Sequence, residues 1–359
     1  MKSNHIIVIN PGSTSTKIAV FPFPMENNEA LFTKNIVHNT NEFGDWKLIV
    51  EQFDVRQKAI QKELEPYLKT GNTKCIVGRG APLKPLKGGT YTISTQLLDD
   101  VRNCNYSNHA SNLGALLAAS FAKDLNIPSF IADPVTVDEF TDIARISGLP
   151  QIQRKCRSHA LNMKAHARQA AMDLKIPYET SRLVLVHMGG GISVGAMLGG
   201  AIIDVNDALM GMGPFSPDRA GALPLAGVVD LAYSGDYTKD KLIELFSKKS
   251  GMMAYLGTGD LITVEEMIAA GDTNAQLIFD AMTYQITKEI GAMITVLASD
   301  VHAVVLTGGM ANSKRLVTGI KARVGKLANV VSYPGEKEME ALALAGNRVL
   351  LGEEETLEY

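Results

Sequence analysis

The segment Val8–Phe21 reads VINPGSTSTKIAVF, in which a hydroxyl-rich turn separates two apolar runs. Val8-Ile9 and Ile18–Phe21 are typical of strands, so the segment predicts a β-hairpin. The turn carries four hydroxyl side chains and one lysine, which is more than a tight turn needs. Amide donors, hydroxyls and an ammonium group together are suited to a phosphate. The segment therefore favours a phosphate-binding turn over an ordinary hairpin.

This turn does not fit a Walker A loop. That motif needs a glycine directly before its lysine and a helix after it. Here Thr16 precedes Lys17, and the β-type run Ile18–Phe21 follows. The sequence therefore predicts a hairpin whose turn, and not a helix N-terminus, faces the phosphate.

A second hairpin with a glycine-rich turn is predicted in the other half of the chain. Its apolar runs are Leu183–His187 and Val194–Leu198, and Gly189–Ser193 lies between them. A dinucleotide-binding fingerprint fails here, because Val194 takes the position of the last glycine in GxGxxG. A third glycine turn, Thr307–Met310, follows another apolar run. The two halves therefore echo one another.

Strand-type runs alternate with runs of helical periodicity, which predicts mixed sheets flanked by helices. The longer predicted helices cover residues 54–69, 113–125, 160–174, 275–298, 314–324 and 337–351. We expect one domain from residues 1–153 with a returning helix in 338–359, and a second domain from residues 154–337. The acidic C-terminal segment 352–359 is expected to be solvated.

Composition and charge exclude several classes of protein. The formal net charge of −3 argues against nucleic acid and anionic membranes as partners. The N-terminus has only a short apolar run, so neither a signal peptide nor a membrane anchor is expected. Three widely spaced cysteines, at 75, 104 and 156, indicate a reducing compartment. We therefore expect a cytoplasmic protein.

Two motifs carry a family resemblance. Asn10–Lys17 resembles the first signature of the acetate and butyrate kinase family, and His187–Ser193 resembles its second. Acetate kinases usually carry an asparagine where Gly190 stands, whereas three glycines in this turn are typical of butyrate kinases. The segment Ser216–Gly221, which reads SPDRAG, also fits the butyrate branch. The resemblance extends over nearly the whole chain.

The resemblance implies the α/β fold of the actin, Hsp70 and sugar-kinase superfamily. That fold has two similar ribonuclease H-like domains with an interdomain cleft that holds the nucleotide. The implied reaction is reversible transfer of the γ-phosphoryl group of ATP to butyrate or isobutyrate, giving an acyl phosphate and ADP. It also implies Mg²⁺ as cofactor and a homo-oligomer.

The resemblance also implies roles for individual residues. Arg79 and Arg219 would bracket the carboxylate and the transferring phosphoryl group, and His159 would stabilise that group. By local sequence alone, Arg79 fits the end of a strand and His159 fits a helix cap. Asp133 completes the predicted catalytic set. The predicted nucleotide-binding residues are Ser13, Ser15, Lys17, His187, Gly189, Gly190, Gly191, Gly308 and Gly309. His187 is expected either to contact the nucleotide or only to orient its loop.

The predicted magnesium site consists of Asn10, Asp133 and Glu338. Asp133 follows the apolar run Ser129–Ala132, where an Asp-Pro pair also fits a turn. Glu338 lies near the start of the last helix, where an acid also suits the helix dipole. Glu340 stays open as an alternative. Because Mg²⁺ keeps several waters, we expect indirect contacts.

Two departures from acetate kinases bear on the acid. Ser158 stands where they carry an aromatic residue, and Gly80 stands where they carry a larger one. Both changes predict extra volume for a four- or five-carbon acid, with a preference of roughly 1–3 kcal/mol per methylene. The alternatives are a sugar kinase with Asp133 as base, or an actin- or Hsp70-like nucleotide switch.

Overall fold

The computed structural model describes residues 4–39 and 46–359. Contacts divide the chain into two units, residues 1–137 with 337–359, and residues 138–336. The sequence predicted the first division at 153/154, so residues 138–153 join the second unit instead. Glu139 contributes to this, since its carboxylate pairs with Lys164 at 2.8 Å and accepts from the N–H of Ile202 at 2.8 Å.

The first unit is built on one mixed sheet. Its strands are β1 (His5–Pro11), β2 (Ser15–Pro22), β3 (Phe32–Val37), β4 (Thr73–Arg79), β5 (Thr90–Thr92) and β6 (Ser129–Ala132). Its helices are α1 (Phe53–Leu68), α2 (Thr95–Arg102), α3 (Asn112–Leu125) and α12 (Glu338–Leu351). The strand order is β3-β2-β1-β4-β6-β5, with β1, β4 and β6 parallel.

The second unit is built on another mixed sheet. Its strands are β7 (Arg182–Met188), β8 (Ile192–Leu198), β9 (Ala201–Val205), β10 (Ala303–Gly308) and β11 (Val330–Pro334). Its helices are α4 (Asp142–Arg145), α5 (Ala160–Leu174), α6 (Leu225–Tyr233), α7 (Lys239–Lys248), α8 (Gly251–Leu256), α9 (Leu261–Ala269), α10 (Thr273–Val296) and α11 (Lys314–Val324). The strand order is β11-β10-β7-β8-β9.

The two sheets share one topology. Each begins with an antiparallel hairpin, β1-β2 or β7-β8, whose first strand then pairs in parallel with a later one. The β1 and β7 strands are almost wholly buried, which fits their continuous apolar sequence. This confirms the predicted α/β class with two mixed sheets flanked by helices. The predicted interdomain cleft stays a prediction.

The C-terminal segment 352–359 is only partly solvated, since Glu353, Glu355 and Glu358 are exposed while other residues pack on the first unit. Leu357 exchanges backbone hydrogen bonds with the segment around Thr90, and the Tyr359 hydroxyl donates to Asp100 at 2.7 Å. The acidic composition suggested exposure to solvent, but Glu354 accepts a hydrogen bond from Thr90 and pairs with Arg348 at 2.7 Å. No helix in the described part of the chain is both long and apolar enough to cross a membrane.

Two glycines allow α3 to lie directly against β4. A Cβ at Gly78 would lie 2.3 Å from the carbonyl oxygen of Gly114, and a Cβ at Gly114 would lie 2.3 Å from that of Arg79. Backbone cannot yield as a side chain can, so both positions need glycine. This contact sets the end of β4, where Arg79 lies.

We expect Gly114→Ala to lower the free energy of unfolding by about 1–3 kcal/mol, because the added methyl group overpacks the α3–β4 contact. Gly291→Ala is the matched control, since that helical glycine has no neighbouring atom within 4 Å of its Cβ position. It should raise stability by up to about 1 kcal/mol through helix propensity. Urea unfolding of both variants measures the difference. Equal effects would contradict the close contact.

Candidate active site

The first unit gathers predicted site residues at one edge of its sheet. Asn10 lies near the end of β1, Arg79 ends β4 and Asp133 follows β6, and these strands are parallel. Their carboxyl ends therefore meet at the same edge, where open α/β sheets bind ligands. The chain returns here at Glu338, the first residue of α12.

Glu338 joins two of these residues. Its carboxylate accepts from Arg79 Nη1 at 2.7 Å and from Asn10 Nδ2 at 3.0 Å. The Arg79 side chain is 14% exposed, so this ion pair is partly shielded from water. Within the described residues, the Arg79 guanidinium makes no other hydrogen bond. These contacts support Glu338 over Glu340 as the acid of this site.

Asp133 has a strained backbone. Its φ is +37°, a value that costs a non-glycine residue roughly 1–3 kcal/mol. Its N–H donates to the carbonyl of Gly89 at 3.0 Å, and its Oδ1 accepts from the N–H of Gly89 at 2.8 Å. Strain of this kind clusters at functional sites. Asp133 also has a structural task, because it holds the segment that leads into β5.

The expected extra volume at Gly80 is wrong. A Cβ at this position would lie 2.7 Å from the Cα of Pro134, so the space beside Gly80 is already filled by backbone. Gly80 is small because it packs against the residue after Asp133. It opens no room for a longer acid.

The opening turn is held from behind by residues that the sequence analysis missed. The buried Arg56 of α1 donates to the carbonyl oxygens of Gly12, Ser13 and Ser15 and to the hydroxyl of Thr16. The spacing of Arg56 from apolar residues in its helix could have indicated that it is buried. Arg56 shares a helix face with Ile60 and Leu64 at i+4 and i+8, and all three are fully buried.

The four hydroxyls of the turn therefore have different surroundings. Ser13 is exposed and Ser15 is half-buried. Lys17, on β2, is also exposed. Lys17 pairs with Asn10 across the hairpin, so both side chains leave the same face of the sheet. Thr16 is buried, and its Oγ lies 2.8 Å from Nε2 of His38. Ser13, Ser15 and Lys17 stay candidates for phosphate contact.

In the second unit, the two predicted histidines stack on one another. His187 near the end of β7 and His159 before α5 have ring centroids 4.1 Å apart at an interplanar angle of 23°. Nδ1 of His159 lies 2.9 Å from Oγ of Ser193, and Nε2 of His187 lies 3.8 Å from a carboxylate oxygen of Glu336. The ring of His187 therefore packs directly on the ring of His159.

Arg219 lies against the second glycine turn. A Cβ at Gly191 would lie 2.2 Å from Arg219 Nη1, which donates to the carbonyl of Ala208. Burial lowers the pKa of Arg219, and the charges of Asp218 and Asp207 oppose that shift. Ser216 contributes as well, since its hydroxyl donates to the carbonyl of Gly190 at 2.5 Å. The glycine turn and the arginine thus form one cluster.

A pocket of about 830 Å³ lies beside this cluster. Three of the predicted glycines, Gly189, Gly190 and Gly309, line it. Gly308 does not line it but makes its turn possible, because its φ is +88° and a Cβ there would lie 2.3 Å from the carbonyl oxygen of Met188. The polar lining residues that the sequence analysis missed are Thr258, Asp260, Glu265, Asn312 and Ser313.

The donor groups of the first unit suit a hydrated magnesium ion. Within residues 4–39 and 46–359, no group of three or more His, Cys, Asp or Glu side chains is arranged to hold a metal. Glu338 and Asn10 offer one carboxylate and one amide at the sheet edge. Mg²⁺ commonly keeps most of its water and uses one or two carboxylates, so these residues fit it.

His38 should make the protein less stable in acid. Arg56 donates to the hydroxyl of Thr16, so that hydroxyl donates onward to a neutral His38 ring. Burial, aided by the charge of Arg56, lowers the pKa of His38 to about 4. Between the unfolded value near 6.5 and about 4, the unfolded state binds more protons, so stability falls as pH falls.

We expect His38→Gln to flatten this part of the profile, because an amide oxygen can accept from Thr16 without titrating. Urea unfolding between pH 4 and 8 measures the free energy of both proteins. Parallel profiles for wild type and His38→Gln would contradict the assignment.

This chain is similar to known acetate and propionate kinases in sequence pattern and in fold. A sequence model of the acetokinase family matches residues 152–356. The acetate kinase of Porphyromonas gingivalis is similar with a TM-score of 0.79 at 16% identity, over 97% of this chain and 100% of that one. A propionate kinase from Francisella tularensis gives 0.75 at 17%, over 95% and 98%. The ROK hexokinase of Thermus thermophilus gives 0.51 at 14%, over 95% and 98%. At these identities the structures show the fold alone.

Proposed function

The chain belongs to the acetokinase family, and on that premise we propose that it transfers the γ-phosphoryl group of ATP to a short-chain carboxylate. The observation that carries the proposal is the partly buried Arg79, whose fork has N–H groups left for an anion after its bond to Glu338. A guanidinium suits a carboxylate because it can pair with both oxygens. A sugar hydroxyl would need a base at this place.

The reaction needs positioning and charge neutralisation more than proton transfer. A carboxylate oxygen attacks the γ-phosphorus, the bond to the oxygen that bridges the β- and γ-phosphates breaks, and ADP leaves. The carboxylate is already ionised near neutral pH, so no general base is required. Arginine and lysine offset the repulsion between the two anions.

We assign these tasks to the predicted residues. Arg79 holds the acid, and Arg219 with His159 stabilises the transferring group. The stack on His187 and the hydrogen bond to Ser193 fix the orientation of His159. Lys17, Ser13 and Ser15 contact phosphates, and the pocket lined by Gly189, Gly190 and Gly309 takes the nucleoside. Asp133 supports the sheet edge through its bonds to Gly89.

Asn10 and Glu338 would hold Mg²⁺, with Asp133 as a further candidate. The bound ion would neutralise charge on the phosphates. The bonds that Glu338 accepts from Arg79 and Asn10 keep its carboxylate in a defined place.

For the acid we propose butyrate or a branched relative such as isobutyrate. The support is the three-glycine turn and Ser158, which is 9% exposed and whose hydroxyl has no hydrogen-bond partner within the described residues. The serine beside His159 is much smaller than the aromatic residue that acetate kinases carry there. Because Gly80 adds no volume, the preference for butyrate over shorter acids rests on Ser158. We therefore expect this preference to be modest.

Trapping acyl phosphate with hydroxylamine tests both parts of this proposal. The protein is incubated with Mg²⁺-ATP and acetate, propionate, butyrate, isobutyrate or valerate, and the hydroxamate is quantified. We expect the largest kcat/KM with a four- or five-carbon acid. A maximum with acetate or propionate would keep the reaction and refute the butyrate assignment. No hydroxamate with any acid would refute the reaction, and assays for hexose phosphate and for ATP-dependent polymerisation would then test the alternatives.

We expect Gly191→Ala to reduce kcat strongly, because its methyl group would displace the Arg219 guanidinium. Arg219→Ala gives the largest loss expected for this site, since loss of such an arginine can lower kcat by about 10³- to 10⁵-fold. Gly291→Ala is the matched control, because it lies in α10 away from this turn and no neighbouring atom lies within 4 Å of its Cβ position. Its kcat should stay within a few-fold of wild type. Equal losses in the two alanine variants would contradict this role of Gly191.

We also propose a homo-oligomer. The helix α6 (LAGVVDLAY) is apolar, yet none of its residues is buried within the chain. Leu225 and Tyr233 are 81% and 87% exposed. Such a surface is typical of a contact between protein molecules. Light scattering that shows a monomer at micromolar concentration would contradict this proposal.

A further inference from the structure

Arg56 is a fully buried cation directly behind the opening turn. It lies in the first turn of α1, and Gln52 holds its guanidinium through bonds of 3.0 Å from Nε and 2.8 Å from Nη2. The remaining N–H groups reach the turn. Nη1 donates to the carbonyls of Gly12 at 2.9 Å and Ser15 at 3.1 Å, and Nη2 donates to the carbonyl of Ser13 at 2.9 Å.

These bonds decide which way the peptide groups of the turn face. In a planar trans peptide, the N–H points away from the C=O. Because Arg56 draws the carbonyls of Gly12 and Ser13 inward, the N–H groups of Ser13 and Thr14 point outward. Neither of these N–H groups donates a hydrogen bond within the described residues, and both residues are exposed. Successive outward N–H groups form an anion-binding concavity.

The other side of the turn is fixed as well. The N–H of His38 donates to the carbonyl of Thr14 at 3.0 Å, and its ring lies 2.8 Å from Oγ of Thr16. Arg56 Nη1 donates to that same hydroxyl at 3.0 Å. Every carbonyl from Gly12 to Ser15 thus has a partner within the protein. These bonds hold the turn in one conformation.

Arg56 also brings charge. Burial lowers its pKa to about 10, so it remains a cation at neutral pH. Its acceptors in the turn are neutral oxygens, and a charge in a partly desolvated place acts over a longer distance than one in water. The turn therefore presents outward N–H groups with a positive charge behind them.

We infer that Arg56 is a positioning residue that prepares the opening turn for the polyphosphate of the nucleotide. This inference rests on the proposed function for the identity of the ligand. Arg56 does not touch the phosphates. It acts through the peptide groups of Gly12–Ser15, which it holds with their donors outward, and Gln52 holds Arg56 in turn.

Arg56→Met and Arg56→Lys test this role, with Ile60→Ala as the matched control. Ile60 is equally buried one turn further along α1, and it belongs to the hydrophobic core of the first unit. All variants are compared at temperatures below their melting transitions. We expect Arg56→Met to lower kcat/KM for ATP by about 10- to 100-fold, the loss that a displaced binding group can cause. The KM for the acid should change less than twofold, and Arg56→Lys should recover part of the loss.

A structural role alone would give a different result. Ile60→Ala should lower the melting temperature while kcat/KM for ATP stays within a few-fold of wild type. If Arg56→Met behaves like Ile60→Ala, the inference is wrong. If Arg56→Met does not fold, Gln52→Met serves instead, because it frees the guanidinium without removing it. That variant should also lower kcat/KM for ATP while the KM for the acid stays nearly unchanged, with a smaller loss than in Arg56→Met. A normal kcat/KM for ATP would overturn the inference.

Hydrogen exchange separates this inference from the proposed function. Peptides that cover residues 10–18 should exchange faster in Arg56→Met, and those peptides should be unchanged in Ile60→Ala. This readout needs no activity. If the wild type makes no hydroxamate, the proposed function fails, and exchange together with MgADP binding still tests the role of Arg56. Unchanged exchange at residues 10–18 would overturn it even in an active enzyme.

Discussion

The ion pair between Arg79 and Glu338 is the interaction on which the candidate site of the first unit depends. It joins residues 259 positions apart and places the start of α12 at the carboxyl edge of the sheet. Asn10 is drawn in by the same carboxylate. Close packing supports the pair, since Gly346 of α12 lies against Cys75 and Val77 of β4. The strand that presents the arginine and the helix that presents the acid therefore pack directly against one another.

The two units use the same topology for different tasks. In the first, a charged guanidinium behind the β1-β2 turn gathers carbonyls inward. In the second, the turn between β7 and β8 consists of glycines, and the guanidinium of Arg219 fills the space that a side chain at Gly191 would take. In both, an arginine makes the conformation of the turn dependent on tertiary packing. A hairpin in isolation would have neither constraint.

Much of the fold follows from local patterns. Residues 129–132, 160–174 and 314–324 were predicted with the bounds that β6, α5 and α11 have. The strand β6 is a short, largely apolar run and the two helices have helical spacing of apolar residues, so packing reinforces what the local sequence favours. The sequence analysis missed the edge strands β3, β5, β9 and β11 and the helix α6. Edge strands are short, and α6 is apolar yet exposed, so neither gives the usual pattern. It also missed that part of the acidic tail packs on the first unit, where Glu354 pairs with Arg348.

By itself, the sequence determined the two hairpins, the hydroxyl-rich and glycine-rich turns, and the residue types that phosphate chemistry requires, because these depend on neighbours in the chain. Tertiary structure alone decided how they are used. Whether Thr16 faces a ligand or Arg56, whether Gly80 opens a pocket or packs on Pro134, and which acid meets Arg79 all depend on atoms that are distant in sequence. Local propensity carries no record of such contacts, since they form only when helices pack on the sheets.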